Sequence, residues 1–121
     1  MNGDSSYTPC KGDIVTINFN PSAGNEIQKR RPALVISNSR YAQLTGLALV
    51  CPITHANNNR LKDSGLFIPI NTEKIEGVIN PLQFHTFDYQ QRQMRYLEKV
   101  DNQILRRALT TINDIVNAKE F

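Results

Sequence analysis

A chain of 121 residues has room for one hydrophobic core and little more. With 40% apolar and 21% charged residues it is ordinary globular material, which argues against intrinsic disorder. It also holds no run of the roughly 18 apolar residues that a membrane helix needs. The net charge of +3 is modest but uneven. Between residues 11 and 60, Lys11, Lys29, Arg30, Arg31, Arg40 and Arg60 outnumber Asp13 and Glu26, whereas residues 61–121 balance. A polyanionic partner would be steered to the first half, although charge alone does not separate that from solubility.

The opening "MNGDSSYTPC" lacks a basic segment followed by an apolar one, so no signal peptide is expected. Residues 1–10 read as a flexible tail and 11–121 as a single domain, with the cytoplasm as the expected compartment and no membrane association. "DIVTINF" alternates Val15, Ile17 and Phe19 with Thr16 and Asn18, the period of a half-buried strand. "NPSAGN" breaks it, and "PALVIS" predicts a second strand with Pro32 at its first residue, where proline is tolerated. "NSRYAQLTG" predicts a helical turn ending at Gly46, and the unbroken apolar run "LALVCPIT" predicts a central strand buried on both faces. "HANNNRLKDSG" has no periodicity and reads as a loop. "LFIPI", "GVINPLQF" and the stretches 84–88 and 94–98 predict further short strands, edge or bulged where Pro69 and Pro81 fall.

After Asp101, a candidate N-cap, the apolar residues Ile104, Leu105, Ala108, Leu109, Ile112, Ile115 and Val116 recur at helical spacing. Five to seven short strands closed by one helix predict a mainly β, small barrel-like sheet with a C-terminal helix packed on it.

Familiar catalytic signatures are missing: there is no HExxH, CxxC, phosphate-cradling glycine loop or GxSxG. Cys51 reads as a small core residue and Cys10 as part of the polar tail, with no disulfide expected. His55 and His85 stand some thirty residues apart, so no metal site is expected, and no cofactor. The densest charge, Lys29, Arg30 and Arg31, stands directly before Pro32. Proline narrows the backbone of the residue before it, so Arg31 should be better ordered than a loop arginine, and its rigid fork suits a phosphate. A surface arginine capping a strand is the simpler account of the same pattern. Thr54 ends the buried strand, where a hydroxyl can meet a bound phosphate or merely cap the backbone. Glu26 could orient Arg31, act as a base, or be a solvated acid. His85, among Phe84, Phe87 and Tyr89, could shuttle a proton, but the alternation favours a half-buried structural histidine.

"KGDIVTINFNPSAGNEIQKRRPALVIS", then "TGLALVCPIT" and "GVINPLQF", resembles the MazF/PemK toxins of bacterial toxin–antitoxin systems over roughly residues 11–118. The order of the pieces carries it: K-G-D-I, D/N-P, G-x-E, R-P before a hydrophobic strand, then P-x-T. The resemblance implies an SH3-like barrel, a homodimer and a metal-independent, sequence-specific endoribonuclease that cuts single-stranded mRNA and so inhibits translation. In such enzymes the 2′-hydroxyl attacks the adjacent phosphate, leaving 2′,3′-cyclic phosphate and 5′-hydroxyl ends. The family's R-P arginine falls on Arg31 and its P-x-T threonine on Thr54, the catalytic candidates. Glu26 occupies the G-x-E position and Gln83 matches a glutamine common after the late strand. Together with Asn25, Lys29, Arg30, Ser37 and His85 these form the expected supporting or RNA-binding set. The implied inhibitor is a cognate antitoxin with a disordered acidic tail.

Two positions depart from the pattern. Many members carry an acidic residue where this chain has Leu82, and some carry histidine where it has Asn25. An acid–base pair on those positions is therefore excluded, which leaves Glu26, His85 or solvent for the proton. Two other readings stay open. A gyrase-poisoning toxin of the same fold relies on a C-terminal helix with terminal aromatics, and this chain ends in Phe121, but such toxins lack the R-P and P-x-T pair. A barrel that binds nucleic acid without chemistry is kept alive by Leu82.

Overall fold

The computed structural model describes residues 7–18, 30–55 and 65–120. Within them the elements run β1 (Asp13–Asn18), β2 (Arg30–Val35), α1 (Ser39–Thr45), β3 (Leu47–Thr54), β4 (Ile68–Asn71), β5 (Glu76–Ile79), β6 (His85–Asp88), β7 (Arg95–Lys99) and α2 (Asn102–Asn117). The strands form one curled antiparallel sheet in the order β4-β5-β3-β2-β1-β7, with β6 also on β3. It is the mainly β half-barrel with a C-terminal helix that the sequence predicts. No helix among the described residues is long and apolar enough to cross a membrane.

Strand alternation sorts the core into two clusters. Ile14, Leu34, Cys51 and Ile53 point to one face, where Ile68, Ile70 and Ile79 join them and α2 closes the cluster with Ala108, Leu105 and Leu109. Val15, Ile17, Ala33, Val35, Ala48 and Val50 point to the other, with Met94, Tyr7 and Phe87. β3 is thus buried on both faces, as its unbroken apolar run predicts. Each fully buried isoleucine or leucine contributes about 1.5–3 kcal/mol.

Local signals set the helix ends. Asn38 Oδ1 accepts from Tyr41 N at 2.9 Å, and α1 stops at Gly46, whose φ of 76° suits glycine. Asp101 caps α2 by accepting from Gln103 N at 3.0 Å.

Three boundaries differ from expectation. β2 begins at Arg30, so Pro32 lies inside the strand and not at its start. "GVINPLQF" is not one strand: β5 ends at Ile79 and a turn follows. The expected tail is fixed from Tyr7 onward, because the buried Asp13 carboxylate gathers it: Tyr7 Oη donates at 2.7 Å, Cys10 N at 3.0 Å and Lys99 Nζ at 2.6 Å. Residues 1–6, Phe19, most of the asparagine-rich loop and Phe121 lie outside the described residues.

The Asp13 cluster has a pH signature. Burial first, then the bond to Asp13, pushes the Tyr7 phenol well above its ordinary range. Lys99 is also raised, chiefly by its bond to Asp13, against an opposing effect of burial. Both groups hold their protons more tightly folded than unfolded, so the stability they lend is complete below about pH 10 and drains away as the unfolded chain loses those protons. In thermal melts, Tyr7→Phe should be less stable than wild type near neutral pH by about 1 kcal/mol and lose less additional stability above about pH 10. Parallel alkaline decline of the two proteins would show that the phenol is not the source.

Candidate active-site groove

β2 and β3 are paired through Val35↔Val50, Leu34↔Cys51 and Ala33↔Pro52, and the ladder stops there. Val35 O accepts from Gly12 N at 2.8 Å on one side of β2, and Ile36 N donates to Leu49 O at 2.9 Å on the other. By alternation the Pro32 nitrogen faces β3, and it carries no hydrogen to donate. β3 meanwhile stays paired along its opposite edge, to β6 over Leu47–Val50 and to β5 at Ile53 and Thr54. Past the last β2–β3 rung lies a groove of about 490 Å³ lined by Arg31, Pro32, Val50, Pro52, Ile53, Thr54, Gln83, His85 and Phe87, residues of β2, β3, β6 and the turn before β6.

Continuing the β2–β3 register past its last rung sets Arg31 opposite Thr54. Both side chains are exposed. The far wall comes from the join between β5 and β6. These two run along the same edge of β3 but in different register, and the slack forms a turn over Asn80–Gln83. There Asn80 Oδ1 accepts from Leu82 N at 3.0 Å, Asn80 N donates to Pro52 O at 3.0 Å and Gln83 N to Asn80 O at 3.4 Å. The turn delivers Gln83 to the groove. Leu82 is half-buried beside it and offers only carbon.

His85 is exposed, not half-buried as its aromatic neighbours predict. Its register partner is Val50, so it stands at the mouth of the groove, on a strand whose described pairing is to β3 alone. Its ring centroid lies 6.1 Å from that of Phe87, over which the Arg92 guanidinium sits at 5.1 Å.

Two predicted members are placed elsewhere. Ser37 Oγ accepts from Leu49 N at 2.9 Å and serves the backbone ahead of α1. Arg30 is committed to its own sheet: Nε donates to Thr16 Oγ1 at 3.1 Å, and Nη2 to Thr16 O at 2.9 Å and to Gln93 O. Burial, and secondarily the charge of Arg95, lowers its pKa, yet a guanidinium starts so high that it stays charged. Asn25, Glu26 and Lys29 lie outside the described residues. Among the described residues no three His, Cys, Asp or Glu side chains gather as metal ligands.

Gly77 escapes sequence reasoning. A Cβ there would stand 2.8 Å from Thr54 O and 3.1 Å from Ile53 Cγ2, so only glycine lets β5 lie this close to the end of β3. Its one sequence signal is a glycine opening a predicted strand.

A guanidinium, a hydroxyl, an amide and an imidazole thus share one groove with apolar and aromatic walls. The charged and polar groups suit a phosphate, and the flat walls suit a base. Comparisons with known proteins identify the family. Residues 10–116 match the family described as PemK-like, MazF-like toxin of type II toxin-antitoxin system. The chain belongs to that family. It is 32% identical to the endoribonuclease toxin ChpB of Escherichia coli K12 over 109 residues, covering 88% of this chain and 92% of that one. It is 28% identical to the endoribonuclease PemK of Escherichia coli over 108 residues, covering 88% and 80%. Among solved structures, a MazE–MazF crystal form from Deinococcus radiodurans superposes with a TM-score of 0.77 at 27% identity, covering 93% of this chain and 100% of that one.

Gly77→Ala should therefore destabilise the fold by about 1–3 kcal/mol through overpacking, read as a lower urea midpoint with an unchanged m-value. An unaltered midpoint would mean that β5 can yield without loss.

Proposed function

We propose that this protein is an endoribonuclease that cuts single-stranded RNA at the groove between β2 and β3. The observation that carries the reading is the placement of Arg31 and Thr54 across the open end of these strands, on a chain of the toxin family. RNA phosphates are drawn to the basic first half, and unpaired bases lie against the groove walls. The 2′-oxygen attacks the adjacent phosphorus, the bond from phosphorus to the 5′-oxygen breaks, and the products are a 2′,3′-cyclic phosphate and a 5′-hydroxyl. Arg31 pairs its fork with the non-bridging oxygens as charge grows on them, and the Thr54 hydroxyl donates to one of the same oxygens. The 2′-hydroxyl proton passes to His85 or to solvent, and the departing 5′-oxygen takes one back. Glu26 is a further candidate for the proton. Leu82 cannot take part. In this reading the Arg31 guanidinium meets the developing charge, and the reaction proceeds without a metal ion.

The wider biology follows from the same reading. The protein acts in the cytoplasm as the homodimeric toxin of a type II pair, cuts mRNA at a preferred sequence and thereby inhibits translation. Solved relatives include MazE–MazF complexes, which supports a cognate antitoxin whose disordered acidic segment covers the basic groove. A barrel that binds RNA without cutting it is the competing account, favoured by Leu82 alone.

Arg31→Ala should keep its circular dichroism spectrum and lose cleavage by about 10²–10³-fold, the usual effect of deleting a donor to a developing oxyanion. Wild type should still cut in excess EDTA and leave cyclic-phosphate ends. Full activity in the folded variant would remove Arg31 from the chemistry. Loss of cutting in EDTA would overturn the metal-free scheme, and RNA binding without cyclic product would favour the non-catalytic barrel.

A further inference from the structure

We infer that Arg30 is a positioning residue: its guanidinium is a brace that fixes the backbone of Arg31 from the opposite face of the sheet. The inference rests on the endoribonuclease reading and adds a second arginine to it with a different task. Arg31 lies directly after the residue that anchors this brace. Its strand is laddered to β1 through Ile17↔Arg31 and Asn18↔Arg30, but the rungs to β3 end at Ala33↔Pro52. The residue that bears the phosphate-facing side chain therefore takes its strand pairing, among the described residues, from β1.

Arg30 adds a side-chain restraint by reaching across β1. Nε and Nη2 grip Thr16 through its hydroxyl and its carbonyl, and Nη2 also reaches Gln93 O in the turn before β7. Gln93 has a φ of 54°. That turn is itself fixed by Gln93 N to Gln90 O at 3.1 Å and Asn18 N to Arg92 O at 2.9 Å. The brace thus joins the first residue of β2 to β1 and to a turn 63 residues away in sequence. Only a planar fork spans these acceptors at once; an ammonium is a point donor. The acceptors are neutral oxygens, and among the described residues no carboxylate pairs with Arg30. Its role in this reading is geometric, with Nε and Nη2 committed to these oxygens.

Arg30→Lys and Arg30→Met test the brace, with Thr16→Val removing only the hydroxyl leg. Amide exchange, steady-state cleavage and the salt dependence of RNA binding are measured on the same full-length proteins. In Arg30→Met, the Arg31 amide should exchange at least about tenfold faster while Leu34 and Val35 keep their protection. kcat should fall by about ten- to a hundredfold, the scale of a small misplacement of a catalytic group, with KM and the salt slope unchanged. Lysine should rescue little of the loss, and Thr16→Val should show a smaller version of it. A raised KM with a shallower salt slope would mean that Arg30 touches RNA, and would overturn the inference. Equal loss of protection at Arg31, Leu34 and Val35, or an unchanged kcat, would overturn it as well. A wild-type protein inert on RNA would overturn the endoribonuclease reading and the catalytic half of this one, while the exchange data would still decide the brace.

Discussion

One missing amide hydrogen organises the site. Pro32 faces β3 with no N–H to give, and the ladder that joins the two central strands closes at Ala33↔Pro52. The groove lies past that last rung, with Arg31 and Thr54 in its lining. β3 keeps its other edge paired to β5 and β6, so the strand stays anchored where its ladder to β2 has ended.

The same strand divides the labour between its faces. Cys51 and Ile53 belong to the cluster beneath α2, while Pro52 and Thr54 line the groove together with Val50, which also packs in the second cluster, and Ile53. A rigid floor follows from the first fact and an accessible site from the second. The close approach at Gly77 connects them. β5 can lie against Thr54 O only because no side chain intervenes, so the far end of the floor is held by packing in a place where hydrogen bonds to β2 are absent.

What could be read from the chain beforehand was whatever short-range periodicity encodes. β1, β3, α1 and α2 announce themselves through alternation, an unbroken apolar run and two caps. Arg31, beside Pro32, and Thr54, two residues past Pro52, stand out, but the residue pattern favours a strand-capping role for each, and only the resemblance to the toxin family marks them as catalytic candidates. The rest depends on contacts between distant segments. His85 was expected half-buried because its neighbours are aromatic, but β6 lies on the open margin of β3 and register sets the imidazole at the groove mouth. Pro32 was expected to start a strand, yet β2 begins at Arg30, since pairing to β1 extends the strand where pairing to β3 fails. Ser37 and Arg30 look alike to a reader seeking polar site residues. Only the partners of each, Leu49 N for one and Thr16 with Gln93 for the other, show that they bond within the sheet and its turns.

Adjacent arginines in a strand cannot share a task, because alternation sends them to opposite faces. In a basic loop, Lys29, Arg30 and Arg31 would form one diffuse positive patch that attracts polyanions without orienting them. Carried into β2, the last two separate. Arg31 faces the groove with Thr54, and Arg30 turns to the back and grips neutral oxygens on β1 and the β6–β7 turn. Strand formation thus converts attraction into geometry. The charge that steers an anion towards this end of the molecule is general to the first half of the chain. In the proposed reading a phosphate is held in one orientation by a single guanidinium, that of Arg31, with Arg30 tying its strand down from behind. That accounts for dense positive charge at the entrance to a buried strand, a place where solvation alone gives no reason to put it.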